Sequence, residues 1–354
     1  FNTHRAIVCL SALTGNFDRA GGNVPNPASY IHKPAGFPTR EHQFRSECYP
    51  KDAPERIGAE KFPLWNALYD EFQAVDLIRQ LEEGTPYPLK GMVAFGLNAK
   101  MLPQSERLLK AMADNLDFYV DTDIFMTMSA KYADLVLPAC SSLERGEMKA
   151  YQGGFLTFTQ PLIEPLYDSK SDTDIMYGMI KALKLDDKLL QQGYEACCDW
   201  IIDGCGLTVA DLKKSDLPVK VPAAKWPVQA GKVLDNGFNT PSGKFEFYSN
   251  AIAQIVPGLD PLPSYTDPLS DENDPETKAK YPFYLCTGAR RPHALHSRTH
   301  EVPWLRSLQP DPTVEVHNED ARRLGLKDGD WVAMSSPYGE IRMRVKVTAL
   351  AKPG

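Results

Sequence analysis

The chain has 354 residues, 43% of them apolar and 24% charged, with a formal net charge of -7. That is enough chain for two or three domains with a sizeable core. The acidic balance excludes a general nucleic-acid binder, which needs a basic surface to displace counterions, and no run of eighteen apolar residues offers a membrane span.

In chain order, Arg5 to Leu10 reads as a helix with no clear cap, followed by a Gly-rich turn at Gly15-Asn16 and Gly21-Gly22-Asn23. The chain opens on Phe1 without a signal-peptide pattern and stops at Lys352-Pro353-Gly354 directly after a strand, which sets the expectation of a piece of a longer polypeptide. Residues 25–65 are Pro-rich and irregular, and 66–84 carry a helical stripe of Leu68, Phe72, Val75, Leu77, Ile78 and Leu81. Residues 89–160 are the most legible. Met92 to Gly96 reads as a buried strand, Pro103 to Asp114 as a helix, Leu116 to Val120 as a strand, Phe125 to Tyr132 as a short helix, and Asp134 to Leu137 as a strand stopped by Pro138. That alternation predicts a parallel, doubly wound, Rossmann-like α/β sheet.

Helices are predicted over Asp174–Leu185 and Asp187–Ile202, a connector over Val219–Pro227, a strand at Phe245–Tyr248, and a polar linker over 257–282. From 281 the pattern turns β-rich. Strands are expected at Phe283–Thr287, Val314–Val316, Trp331–Ser335 and Ile341–Val347, with a short helix capped by Asn318 and ended by Gly325. In the last strand Ile341, Met343, Val345 and Val347 alternate with Arg342, Arg344 and Lys346, predicting one buried and one wet face.

In open α/β sheets ligands sit beyond the carboxyl ends of the strands. There the sequence has Gly96-Leu97-Asn98 and Asp121-Thr122-Asp123, a close-approach glycine, an amide donor and carboxylates able to accept the paired N–H donors of a purine edge. The same residues also serve plain turns and helix caps, so both readings stand at this point. G-x-G-x-x-G and P-loop motifs are absent, which disfavours an ordinary NAD, FAD or nucleotide-triphosphate domain. A second cluster, Cys286 to His300, packs Arg290, Arg291 and Arg298 with His293, His296 and His300. Its cations suit an anion, and without one the loop is expected to be loose; a plain solvated charged loop is the alternative reading. No His, Cys or carboxylate spacing suggests a metal site, no C-x-x-C occurs, and no catalytic triad can be assigned. Most of the seven cysteines read as small core residues or inert thiols.

The stretch Asp121-Thr122-Asp123-Ile124-Phe125-Met126-Thr127 through Ala133-Asp134-Leu135-Val136-Leu137-Pro138 resembles a signature of the molybdopterin-guanine-dinucleotide oxidoreductases, the dimethyl sulfoxide reductase family. Leu13-Thr14-Gly15-Asn16 with Gly21-Gly22 resembles its preceding segment. Gly96-Leu97-Asn98 matches its Gly-x-Asn loop, with Ala99 in place of the usual Pro. Leu285-Cys286-Thr287-Gly288 with His296-Ser297, and Val314 to Val347 with Asp328-Gly329-Asp330 and Gly339, resemble its C-terminal barrel. The motifs run in order over nearly the whole chain.

The resemblance implies four regions. These are residues 1–88 (the end of a preceding α/β domain, a connector and a helix), 89–165 (the Rossmann-like dinucleotide domain), 166–280 (helices and linker) and 281–354 (the start of a double-psi β-barrel). It implies two guanine dinucleotides holding one molybdenum or tungsten in a parent enzyme of two-electron or oxygen-atom-transfer chemistry. Gly96, Asn98, Asp123 and Thr127 would contact one dinucleotide, with Asp123 on its guanine. Thr287, Gly288, Arg290, His296 and Ser297 would contact pterin or phosphates. The metal-ligating residue and a 4Fe-4S domain would lie upstream of Phe1 in the same subunit, so no catalytic residue is assigned here and the chain alone is expected to be inactive. An iron–sulfur electron-transfer subunit is an expected partner, and bacterial cytoplasm and periplasm both stay open. The alternative reading is a non-catalytic nucleotide- or anion-binding α/β protein.

Overall fold

The computed structural model describes residues 2–25, 52–69, 71–151, 154–222, 230–238, 240–265, 274–287, 291–295 and 299–354. The chain forms an α/β fold with parallel, antiparallel and mixed sheets. It divides into two compact units, one of residues 1–97, 110–124 and 132–265, the other of 98–109, 125–131 and 266–354.

Helices α1 (Asn2–Leu13), α2 (Pro63–Tyr69) and α3 (Leu77–Glu83) open the first unit. The helix expected over 66–84 is broken. Gln73 takes the Val75 N–H and starts a 3-10 turn, Ala74–Asp76, before α3 begins. Buried Asp76 then binds Arg79 through both carboxylate oxygens, at 2.6 and 3.0 Å, and the guanidinium holds that carboxyl below its ordinary range.

Strands β1 (Gly91–Phe95), β2 (Phe118–Asp123) and β3 (Leu135–Pro138) pair in parallel in that order, with Ala94, Asp121 and Val136 in register. Helix α4 (Ser105–Asn115) connects β1 to β2 and buries Leu108, Leu109, Ala111 and Met112, the apolar stripe its 3.6-residue spacing dictates. Two expectations are corrected here. Asp121, Thr122 and Asp123 lie inside β2 rather than after it, because the ladder to β3 runs on through Asp123 opposite Pro138. The helix expected over Phe125–Tyr132 is a single 3-10 turn, Ala130–Tyr132, because the Thr127 and Ser129 hydroxyls take backbone N–H groups and so compete with helical pairing.

A hairpin that the periodicity did not reveal, β4 (Glu147–Tyr151) and β5 (Phe155–Thr159), pairs with β6 (Val219–Lys220). Helix α5 (Asp172–Ala182) packs on α6 (Tyr194–Ile202), and the hairpin shares with α6 and α7 (Val209–Leu212) a core of Leu156, Phe158, Cys198, Ile202, Leu212 and Val221. The predicted helix from Asp187 starts only at Tyr194, because Gly193 sits at φ +94° and separates α6 from a 3-10 turn at Leu190–Gln192. Ser171 caps α5, and Thr208 with Asp211 forms a capping box on α7. Helices α8 (Lys232–Asn236) and α9 (Asn250–Ile255) follow. Asp18 in the Gly-rich turn is buried and accepts from Val233 N at 2.7 Å and Leu234 N at 2.9 Å, capping α8 from 215 residues away. The strand expected at Phe245–Tyr248 is irregular. Phe245 packs instead with Phe17, Phe238 and Phe247, at centroid distances of 4.8 to 5.8 Å. The predicted connector keeps only β6 as structure, and 223–229 lie outside the described residues.

In the second unit β7 (Thr313–His317), β9 (Gly339–Thr348) and β8 (Trp331–Ser336) form one sheet in that order, β7 parallel to β9 and β8 antiparallel to it. The helix Asn318–Leu324 buries Ala321, and Val345 is buried in β9. His317 rather than Asn318 is its cap, its Nδ1 accepting from Glu319 N, and Gly325 ends it at φ +68°. The expected alternation on β9 holds at Val345 but not at Ile341, which is 53% exposed. The strand expected at Phe283–Thr287 is irregular. Among the described residues no helix is long and apolar enough to cross a membrane.

Candidate dinucleotide-binding site

The pleat of β2 sets Tyr119, Asp121 and Asp123 on one face and Thr122 on the other. Asp121 is fully buried, and neither of its carboxylate oxygens has a hydrogen-bond partner among the described residues. The Tyr119 hydroxyl and Thr122 Oγ1 are likewise buried and unpartnered. Burial pushes the Asp121 carboxyl up to about 6, helped by the nearby Asp123 charge; the Tyr119 phenol and the Thr122 backbone N–H pull it back. The phenol is thus close enough to act on the carboxylate without reaching hydrogen-bonding geometry. Burial and the same carboxylate push the Tyr119 hydroxyl above its ordinary range. A run of unpaired polar atoms on a central strand is costly unless something satisfies them.

Gly96 follows β1 at φ +64°, and its N–H continues the ladder to Thr122 O at 2.8 Å. Nothing lies within 4 Å of where a Cβ would stand, so its backbone face is open to close approach. Asp123 is half-buried, and its carbonyl accepts from Ala139 N at 3.1 Å.

Asn98 and Thr127 belong to the second unit. The Asn98 carbonyl accepts from Met101 N, starting the turn Ala99–Met101. Thr127 is buried, and its Oγ1 accepts from Ala130 N at 3.1 Å, so the hydroxyl already caps a turn and keeps its proton and one lone pair for a further partner. Ser129, fully buried, accepts from Ala99 N at 2.5 Å and pins the residue after Asn98 to the 125–131 segment. Ser129 was not among the expected site residues, and Asp121 and Thr122 were expected beyond the end of the strand rather than buried inside it. The serine was legible only as a polar residue inside an apolar run.

Of the second predicted cluster, Thr287 is described, while Gly288, Arg290, His296, Ser297 and Arg298 lie outside the described residues. Arg291 departs from the expectation of a cation awaiting an anion. Its Nη1 donates to Gln309 Oε1 at 2.7 Å and its Nη2 to Glu315 Oε1 at 3.4 Å, an oxygen that Lys346 Nζ also reaches at 3.3 Å. His293 Nε2 lies 3.4 Å from Gln309 Oε1, and His300 Nδ1 lies 3.4 Å from Glu301. Among the described residues no group of His, Cys, Asp and Glu side chains is arranged to hold a metal ion. Cys9, Cys140, Cys197, Cys198 and Cys205 are buried free thiols and Cys286 is an exposed one. Burial raises Cys198 to about 11 and pushes Cys140 and Cys205 upward, as expected of inert core thiols.

Comparison with known proteins places two family descriptions on the chain, the molybdopterin oxidoreductase family over residues 2–182 and the molydopterin dinucleotide binding domain over 283–354. Acetylene hydratase of Syntrophotalea acetylenica is 30% identical over 366 residues, covering 97% of this chain and 49% of that protein. A dimethyl sulfoxide reductase of Escherichia coli is 28% identical over 383 residues, 99% of this chain and 45% of that protein. A solved acetylene hydratase from Pelobacter acetylenicus superposes with a TM-score of 0.70 at 26% identity, covering 84% of this chain and 44% of that one. The chain spans about half the length of such curated relatives, or less.

Proposed function

Because the chain belongs to the molybdopterin oxidoreductase family, we propose that it is the dinucleotide-holding part of a catalytic subunit. In this reading β1–β3 belong to a doubly wound, Rossmann-like domain, and residues 281–354 begin a double-psi β-barrel. Gly96, Asn98, Asp123 and Thr127 hold one guanine dinucleotide. Thr287, Gly288, Arg290, His296 and Ser297 take pterin or phosphate. When bound, the pterin-held molybdenum or tungsten supplies a centre for two-electron or oxygen-atom transfer. A 4Fe-4S cluster, the metal-ligating residue and an electron-transfer partner belong to the parent assembly rather than to these residues.

The observation that carries the reading is the carboxyl end of β2. Buried acceptors without partners, beside a glycine whose backbone face is open, fit a ligand rich in N–H donors and phosphate. The chain's own work in this reading is to bind and orient. Asp123 accepts from the guanine edge, and Gly96, exposed at the end of β1, admits the pyrophosphate. The likeness to acetylene hydratase favours a second reading of the parent's chemistry, addition of water to an unsaturated bond.

Anaerobic assay with reduced viologen against formate, sulfoxide, nitrate, polysulfide and arsenate, together with acetylene hydration, tests both. The full-length protein is expected to turn over a member of this panel, and the isolated 354-residue chain none. Turnover by the isolated chain well above a protein-free blank would refute the division of labour proposed here.

A further inference from the structure

Helix α1 turns polar side chains inward and apolar ones outward. On its inner side Arg5 Nη2 donates to the Pro261 carbonyl at 2.8 Å and the Phe247 carbonyl at 3.3 Å, and Ser11 Oγ donates to Asn23 Oδ1 at 3.1 Å. Cys9 and Ser11 are its buried residues. On its outer side Ile7, Leu10 and Leu13 are 57%, 61% and 71% exposed. Their three-residue spacing stacks them with Ala6 into one stripe along the helix. A helix that faces water carries the opposite pattern, apolar stripe in and polar face out. Single exposed apolar side chains are ordinary, but a continuous stripe of them marks a surface that another element covers.

Three observations select the cover. The stripe is flanked by Thr3 and Thr14, and α1 holds no carboxylate; its only full cation, Arg5, points inward. Separable partners meet through surfaces about as polar as the rest of a protein, whereas permanent contacts are more apolar. The stripe is also small. A helix of 12 residues is about 18 Å long, and one of its faces offers on the order of a few hundred Å², against about 800 Å² on each side for stable association of separate molecules. A contact of that size persists when both sides belong to one polypeptide, where the effective concentration is high. The relatives have the necessary length, since this chain covers only 49% of acetylene hydratase and 45% of the dimethyl sulfoxide reductase.

We propose that the outer stripe of α1 is a docking surface for the part of the same catalytic-subunit polypeptide that precedes Phe1, an uncharged apolar segment of which seats on Ile7, Leu10 and Leu13. This rests on the reading above that the chain is part of a longer subunit.

The test uses the full-length protein. In Leu10→Cys, alkylation by N-ethylmaleimide is timed in the native and the urea-unfolded protein. A seated stripe predicts labelling at position 10 at least about tenfold slower in the native protein, and a smaller difference overturns the proposal. A benzophenone amino acid at position 10, photolysed and mapped by mass spectrometry, identifies the cover. Cross-links to residues preceding Phe1 in the same polypeptide, at single-chain mass, support the proposal. Cross-links only to residues 1–354, to a second copy at doubled mass, or to another subunit overturn it. Should both substitutions prevent folding, hydroxyl-radical footprinting of the wild type decides, with Ile7, Leu10 and Leu13 expected to oxidise at least about tenfold slower than in the unfolded protein and a smaller protection contradicting the docked stripe. Full-length protein that holds no guanine nucleotide yet cross-links upstream of Phe1 keeps the docking surface and loses the cofactor reading. Cofactor-loaded protein with position 10 open to alkylation keeps the cofactor reading and loses the docking surface.

Discussion

Replacing Asp121 by Asn isolates the energy of one buried carboxyl. In the folded chain burial pushes the carboxyl up to about 6, against 3.8 ordinarily, with the Asp123 charge adding to it and the Tyr119 phenol and Thr122 N–H only partly offsetting it. The folded form therefore keeps its proton after the unfolded form has released it. Its contribution to stability is complete below about pH 3.8 and is lost as pH rises through about 6. A shift of about 2 units, at about 1.4 kcal/mol each, gives a loss of ~3 kcal/mol by neutral pH. An asparagine cannot ionise, so Asp121→Asn lacks this loss. Urea unfolding of cofactor-free protein, followed by circular dichroism at about pH 4 and about pH 7.5, measures it. Relative to wild type the variant should gain about 2.4 kcal/mol between the two conditions, because at about pH 4 about 0.6 kcal/mol of the loss has already occurred. Any fixed effect of the amide itself is present at both and cancels. A stability difference that does not change with pH would refute the burial argument.

Three further outcomes are expected. Asp123→Asn, which sets a donor against the guanine N–H pair, should lower dinucleotide affinity in the full-length protein by about tenfold to a hundredfold without lowering the melting temperature; unchanged cofactor content would make Asp123 a structural residue only. Asp18→Ala removes the carboxylate that caps α8 and should cost about 1–2 kcal/mol in thermal or urea unfolding, so a change under about 0.5 kcal/mol contradicts the cap. Under native alkylation with iodoacetamide near pH 8, Cys286 should be the first of the described cysteines to react, as seen by peptide mass mapping, because it is exposed while burial lifts Cys198 to about 11; equal labelling of Cys198 would overturn that ordering.

The parallel β1–α4–β2 unit was legible because its apolar runs are short and its helix has a clear 3.6-residue stripe. The β4–β5 hairpin was not. Its inward residues, Leu156 and Phe158, alternate over only five positions, too few for the period to stand out, although Gly153-Gly154 between the strands is a hairpin signal. Periodicity also says nothing about breaks made by single residues. Gln73 and Gly193 each interrupt a helix whose apolar stripe runs through them, one by an amide bond to its own backbone and one by a left-handed conformation. At the site, residue type found Asp123 and Gly96, whereas the burial of Asp121 and the contacts of Ser129 and Gln309 depend on groups far off in the chain or in the folded core. The Arg/His density after Cys286 was visible in sequence, but Glu315 and Gln309, which engage Arg291, lie on β7 and in the turn before it.

The most direct measurement is metal and nucleotide analysis of the full-length protein, purified without oxygen. Molybdenum or tungsten is measured by mass spectrometry, and guanine nucleotide is quantified after acid release. A dinucleotide-holding molybdopterin enzyme requires metal and guanine to co-purify in fixed proportion and both to fall together in Asp123→Asn. Protein that folds, carries neither metal nor guanine, and is unaltered by Asp123→Asn would contradict it.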